Sequence, residues 1–342
     1  MRSITEQTAA EYLRATGRVT GDEPIEVREL TGGVSNVVLL VTLRARGERF
    51  VLKQARGQLR VQEEWLCPVE RIWREVEVLR ACGERLRSAE CGMRNAEFFH
   101  PGVPDVLWED RANYCFAMTA AWSKAKTWKE TLLAGRTTFA PFAAAACGRL
   151  LGRLHTGSWK DAALAEQLAD RTYFDQLRLD PYYRHAARRN PDRAAQLAEL
   201  VDSVLAHRCC LVHGDFSPKN LLVWPGHVWL IDHEVGHFGD PAFDLGFFLT
   251  HLVAKAVRAR VECRKVLQLA TIFWDEYRRL LAAVASADEL AALQQRMMLN
   301  LAGCLLARAD GKSPLEYLTE DEQRVIRQLG REWLIAPPDR LM

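Results

Sequence analysis

The nine cysteines of this chain form no C-x-x-C pair, and they are odd in number and scattered from Cys67 to Cys304. That excludes a zinc ribbon and a disulfide frame, and the adjacent Cys209 and Cys210, set in an apolar run, read as buried thiols. No block of five like charges occurs and the formal net charge is only +2, so neither nucleic acid nor an anionic membrane is an expected partner. No apolar run reaches the length of a membrane span, since the best, DLGFFLTHLVAKAV, is broken by His251 and Lys255. The opening MRSITEQTAAEY carries no apolar stretch of the kind a secretory signal needs, and the expected location is a reducing cytoplasm. Repeats and low-complexity linkers are missing as well. ADGKSPLEY (309–317) is not a Walker A loop, because the first glycine of that motif would fall on Leu306.

What is present is 342 residues of ordinary globular composition, 49% hydrophobic and 26% charged, enough for two lobes rather than one core. IEVREL, NVVLLVTLRAR and ERFVLKQ read as strands between residues 26 and 54, the last two joined in a hairpin at Gly47. An amphipathic helix is expected over about 68–82, opened by Pro68, and is followed by an irregular stretch to about His100. PDVLWED and NYCFAMTA are two more strands, ending near Ala121. Beyond them the periodicity is helical, in FAAAACGRLLGRLH, AAQLAELVDSVLA and FDLGFFLTHLVAKAV, interrupted only by a hairpin within 211–232. The expected fold class is α+β in two lobes: residues 1–120 with a small antiparallel sheet and one main helix, and residues 121–342 mainly helical.

The hairpin carries the chemistry. In LVHGDFSPKNLLVWPGHVWLIDHE (211–234) the apolar runs Leu221–Val223 and Val228–Ile231 flank a Pro225-Gly226 turn. His213, Asp215 and Asn220 precede the hairpin, and Asp232 and Glu234 follow it. Asp215 and Asn220 five residues apart, then two strands, then Asp232, resemble a kinase catalytic loop and metal site. Magnesium prefers a few hard oxygens together with phosphate oxygens, and Asn220 and Asp232 would supply them from the two ends of the hairpin. Asp215 would accept a hydrogen bond from the substrate hydroxyl and orient its attack. In the first half, LTGGVSNVVLLV (30–41) sets Gly32-Gly33 and Ser35-Asn36 between strands, where glycine lets backbone N–H groups approach phosphate. FVLKQ puts Lys53 inside an apolar strand, where a lysine needs a partner. Glu75 on the following helix is the expected one, and Glu77, on another side of that helix, is the alternative.

The set Gly32-Gly33, Lys53, Glu75, His213-Gly214-Asp215, Asn220 and Asp232 resembles the aminoglycoside phosphotransferase and choline kinase superfamily of small-molecule kinases. LKQARGQLRVQEEWLCPVERIWREVEVLR is similar to the methylthioribose kinase pattern, as are HFGDPAFDLGFFLTHLV and NLAGCLLAR. The chain departs from that pattern at Phe216-Ser217-Pro218-Lys219 and at His233-Glu234. The resemblance implies a two-lobed protein-kinase-like fold and an ATP- and Mg2+-dependent transfer of the γ-phosphate to a hydroxyl of a small molecule. It implies a nucleotide site made from Gly32, Gly33, Ser35, Asn36, Lys53, Glu75, Met118, Thr119 and Ala121, with Asp215 catalytic and Asn220 and Asp232 on the metal. It also implies that Asp244 holds the catalytic loop from below, where the residues alone allow a helix N-terminal carboxylate. His213 and His155 read as structural. Glu234 and Arg308 are candidate substrate contacts, Arg308 toward an anion, and Lys219 is open to the same role.

Only eleven residues separate Asp232 from Asp244, with no D-F-G or A-P-E, so a peptide-docking platform is not expected. The expected partner is a small hydroxylated molecule, the protein itself being a monomer or homodimer. The basic YYRHAARRNPDR (182–193) favours a sugar-like or anionic polyol, methylthioribose or a related pentose being the lead. The alternatives are an aminoglycoside or choline-type amino-alcohol kinase and, in a different class, a nucleotide-binding regulator without catalysis.

Overall fold

Period-two alternation marks the strands on one side of the first sheet. In β1 (Ile25–Glu29) and β2 (Asn36–Leu43) exposure alternates along the chain, whereas the inner strands β3 (Glu48–Ala55) and β6 (Cys115–Thr119) are buried at most positions and β5 (Val106–Asp110) closes the far edge. The strands pair antiparallel in the order β1-β2-β3-β6-β5. Gly47, at φ +65°, turns β2 into β3 as the sequence leads one to expect. The computed structural model describes residues 1–30, 35–58, 67–90, 100–135 and 139–339. These divide into two compact units, residues 1–83 with 103–123 and residues 84–102 with 124–342.

In the first unit, α1 (Ala9–Ala15) lays Tyr12 and Leu13 on one face of the sheet beside Leu39, Val41, Leu52 and Ala117, closing a core. The main helix α2 (Arg71–Glu90) starts later than Pro68 and runs well past residue 82. Pro68 instead caps the preceding turn, its carbonyl accepting from Arg71 N–H at 3.4 Å.

In the second unit the helices are α3 (Trp128–Leu133), α4 (Ala140–Thr156), α5 (Ala162–Gln167), α6 (Thr172–Phe174), α7 (His185–Arg189), α8 (Ala194–Ala206), α9 (Pro241–Ala259), α10 (Cys263–Leu281), α11 (Ala287–Asp310) and α12 (Glu320–Trp333). Between α6 and α7 the chain winds in wide π turns, Asp175–Arg184, with Pro181 inside. Among the described residues five α-helices start at side-chain caps; Thr127, Ser286 and Thr319 form full capping boxes, and Asp161 and Asp240 cap α5 and α9. Phe243 and Phe247 of α9, Tyr183 of the π segment and Leu200 of α8 share one buried cluster with α11.

More strand pairing occurs in this unit than the single expected hairpin. β9 (Leu221–Trp224) and β10 (His227–Leu230) form that hairpin around Pro225-Gly226, with Leu230 opposite Leu221. β7 (Lys126–Thr127) extends it on one side, and β4 (His100–Gly102) runs parallel to β10 on the other. β8 (Cys210–Val212) pairs with β11 (His237–Gly239). These two- and three-residue strands are too short to show a period, and their partners lie far away in sequence.

Candidate active site

The first unit assembles an ion pair. β3 places Lys53 at 4% exposure between Val38 of β2 and Phe116 of β6, a setting that an ammonium tolerates only with a counter-charge. Its Nζ lies 2.6 Å from Glu75 Oε1, and Glu75 is 1% exposed. Glu77 points elsewhere: it is half-exposed and lies 3.8 Å from Arg74. Sequence reasoning missed Arg71, which is fully buried at the start of α2. Its guanidinium donates to the carbonyls of Cys67 (3.1 Å) and Pro68 (2.9 Å), to the Ser35 carbonyl and to Asn36 Oδ1 (3.3 Å). It thereby fastens the Ser35-Asn36 corner to the helix that carries Glu75. Gly32 and Gly33 lie outside the described residues.

Of the three residues expected to present backbone groups, Met118 is buried within β6 opposite Val51. Thr119 is already engaged: its N–H donates to Asp105 carbonyl at 2.9 Å and its Oγ1 accepts from Asp105 N–H at 2.9 Å. Ala121, past the end of the strand, keeps its backbone N–H and carbonyl outside the hydrogen-bond network of the described residues. The Thr119 N–H is therefore engaged within the chain itself, whereas the Ala121 backbone is not bonded to any described residue.

The second unit assembles the catalytic-loop residues, His213 to Asn220, between β8 and β9. Asp244, in the first turn of α9, accepts the backbone N–H of both His213 and Gly214 at 2.7 Å, so it does hold the loop from below. His155 is a core residue behind it, with Nε2 3.4 Å from Asp244 Oδ2 and Nδ1 2.9 Å from the Tyr277 hydroxyl. Gly214 has φ +75°, and a Cβ there would lie 3.0 Å from both Val235 Cγ2 and the Val235 carbonyl, so only glycine fits. His213 is structural: its Nδ1 accepts from Asp215 N–H (3.2 Å), which leaves Nε2 to donate to Ile231 carbonyl (3.2 Å). Burial lowers its pKa, consistent with a neutral ring. Phe216, fully buried, packs its ring at a tilt against Phe248 of α9 (5.2 Å), which in turn packs against Phe273 of α10 (4.2 Å), anchoring the loop in the core.

Asp215 is the focus of this loop. Its Oδ2 takes three donors: Arg178 Nη2 at 2.8 Å, Lys219 Nζ at 2.9 Å and Asn220 Nδ2 at 2.7 Å. Its other oxygen, Oδ1, is buried and has no partner among the described residues. Burial alone would push this carboxyl up; the Arg178 guanidinium and then the Lys219 ammonium outweigh it and hold the group below the usual carboxylate range. Arg178 comes from the π turns, where its Nε also donates to Gly214 carbonyl at 2.9 Å. No motif marks it; a lone arginine in a polar helical segment gives no signal of this contact.

Asn220 spends its Nδ2–H groups on the Asp215 carboxylate and, at 3.0 Å, the Asp215 carbonyl, which leaves its Oδ1 as an unused acceptor. Its own carbonyl accepts Ile231 N–H at 3.0 Å, tying it to the residue before Asp232. Asp232 sits at φ +70°, in the left-handed region that an aspartate tolerates better than most residues. Asn220 and Asp232 are thus fixed at the two ends of one hairpin, as expected. A neutral amide oxygen and a carboxylate form a hard-oxygen donor set that suits Mg2+. Glu234 is buried and its charge is felt by Arg178. Arg308 of α11 is buried and donates to Ser313 carbonyl (2.6 Å) and Oγ (2.9 Å).

Comparison with known proteins gives the family. The model of the phosphotransferase enzyme family matches residues 26–280, and the chain belongs to that family. It is similar to methylthioribose kinase of Pectobacterium atrosepticum, 26% identical over 396 aligned positions that cover 98% of this chain and 95% of the relative. It is also similar to methylthioribose kinase of Citrobacter koseri, 25% identical over 287 positions, 74% of this chain and 66% of that one. The chain therefore spans about two thirds of the latter's length. A solved microcompartment-associated aminopropanol kinase superposes with a TM-score of 0.53 at 15% identity, covering 97% of this chain and 99% of its own, a likeness of fold. The expected α+β kinase-like fold is the observed one. Among the described residues no helix is long and apolar enough to cross a membrane.

Proposed function

We propose that the protein transfers the γ-phosphate of ATP to a hydroxyl of a small, sugar-like molecule. The observation that carries this reading is the buried Oδ1 of Asp215, without a partner among the described residues, on a carboxylate whose other oxygen is saturated by three donors. A buried acceptor left open costs free energy unless a ligand group fills it, and a hydroxyl proton is the complementary group. Asp215 orients that hydroxyl; as its oxygen bonds to the γ-phosphorus and the bond to the ADP oxygen breaks, the proton passes to Oδ1. Because the carboxylate is held ionised, its main contribution is positioning, with proton acceptance late in the step. Asn220 and Asp232 would hold Mg2+, which when bound neutralises charge on the phosphates. In the first unit, Lys53, kept in place by Glu75, would contact the α- and β-phosphates, and Ala121 the base, with Ser35 and Asn36 at the phosphate corner.

The cations Arg178 and Lys219 beside Asp215 disfavour a choline-type or aminoglycoside acceptor, whose positive charge they would repel. The presence of Lys53, Glu75, Asp215, Asn220 and Asp232 together speaks against a non-catalytic regulator. Acceptor-stimulated ADP release from a panel of pentoses, amino alcohols and aminoglycosides tests the reading. Asp215→Asn is expected to lower turnover by ~10²–10⁴, about 3–5 kcal/mol of transition-state stabilisation, with nucleotide affinity nearly unchanged. Near-normal turnover in that variant would sink the proposal.

A further inference from the structure

The second unit buries two cations that its own carboxylates do not neutralise. Lys255 of α9 is 4% exposed and Arg308 of α11 is 6% exposed. The partners of the Lys255 ammonium are neutral: the His251 carbonyl and the Tyr317 hydroxyl, each at 3.4 Å, with the Tyr317 ring 5.0 Å away. Arg308 donates to Ser313 and lies 3.4 Å from His251 Nε2, while its buried Nε has no partner among the described residues. His251 lies between the two and is held neutral, by burial first and then by Arg308 and Lys255. The carboxylate nearest in effect, Glu316, is already paired with Lys129. Burial pushes the Lys255 ammonium down to about 7, as expected of a charge removed from water without a counter-ion.

The cluster adjoins the catalytic carboxylate. The Arg308 guanidinium lies 5.3 Å from the Tyr182 ring, and Arg178, which holds Asp215 at 2.8 Å, lies 6.0 Å from the same ring. Lys219, the other cation on Asp215, is also felt by His251. A molecule presenting a hydroxyl to Asp215 therefore has, across one tyrosine, two buried donors that lack an anion.

We propose that Lys255 and Arg308 form an anion subsite for the phosphoryl acceptor, so that the acceptor is a hydroxylated molecule carrying a carboxylate or phosphate group. The inference rests on the kinase reading above and narrows its substrate class. An anion there gives the Arg308 Nε and the Lys255 ammonium the charge-assisted hydrogen bonds they lack. A neutral sugar or an amine leaves both cations uncompensated.

The test compares three matched acceptors, D-ribose, D-ribonate and D-ribose 5-phosphate, on the full chain. Binding of each is measured by calorimetry with ADP present, and turnover by ADP release. The expected result is that at least one of the two anions binds at least tenfold more tightly than ribose. Lys255→Met and Arg308→Gln should each reduce that anion-to-neutral ratio tenfold or more, whereas Arg308→Lys retains part of it. Whichever anion is preferred distinguishes carboxylate from phosphate. Equal binding of ribose and both anions, or a preference that survives both charge-removing variants, overturns the inference, even if ribose is phosphorylated. Loss of acceptor-stimulated ADP release with the anion preference intact would instead overturn the kinase reading and leave the subsite standing.

Discussion

Lys53 and Lys255 are both buried lysines, and they solve the burial of a charge in opposite ways. Lys53 meets the Glu75 carboxylate at 2.6 Å inside its own unit. Among the described residues Lys255 hydrogen-bonds to a carbonyl and a phenol, and the one carboxylate acting on it, Glu316, is already paired with Lys129. A buried charge is tolerable when something compensates it. The first lysine is compensated by the fold and so is poised at rest; the second waits for compensation from outside. The contrast teaches that missing counter-charge, as much as present charge, can mark where a ligand binds.

The largest expected effect comes from breaking the compensated pair. Glu75→Ala should cost about 3–5 kcal/mol in a urea titration, because it removes the carboxylate that faces a buried ammonium at 2.6 Å. The double substitution Lys53→Met with Glu75→Leu should recover most of that stability while ATP-dependent turnover stays lost. If Glu75→Ala unfolds at the wild-type midpoint, the pair is not the structural unit described here.

Lys255→Met should act with the opposite sign, raising stability by on the order of 1–3 kcal/mol near pH 7. The sign follows from its titration. With a folded value of about 7 against a usual 10.5, the unfolded chain holds a proton between those limits that the folded chain has released. Wild-type stability therefore rises with pH across that window, by at most about 1.4 kcal/mol per unit from this group, and below it the full burial penalty is present. The groups acting on Lys255 are Lys129, Arg308 and Glu316, with His251 and Tyr317 in contact. The advantage of Lys255→Met should thus be largest near and below pH 7 and shrink toward pH 10, as paired urea titrations would show. A constant advantage would mean that Lys255 does not titrate there.

The smallest effect is a proton count. An anion beside Lys255 favours the ammonium, so binding of the preferred anionic acceptor near pH 8 should take up a fraction of one proton. Calorimetry in two buffers of different ionisation enthalpy measures it, and Lys255→Met should abolish it.

The parts of the site legible in the sequence are those written in one stretch. His213 to Asp232 is a local motif whose spacing fixes its own hairpin, and Lys53 betrays itself as a cation amid apolar neighbours. Glu75 is separable from Glu77 only because the helix turns them to different sides. Arg178, Tyr182 and Lys255 escaped because their contacts join elements far apart in the chain, and no period or spacing encodes such a meeting. In the sequence His251 and Lys255 are merely interruptions of an apolar run. Likewise β4 is three residues long and pairs with a strand more than a hundred residues later, so its place in the second unit leaves no mark in the sequence.

The wide turns of Asp175–Arg184 carry both Arg178 and Tyr182, the links between Asp215 and Arg308. A π segment differs from an α-helix by inserted residues, so its geometry responds to length more than to side-chain identity. Removing one residue from it would swing the side chains beyond the cut by about 100° relative to those before it. In this chain, then, the route by which descendants could acquire a new acceptor runs through single-codon deletions and insertions at this segment, which would re-aim the acceptor wall while the catalytic loop kept every one of its residues.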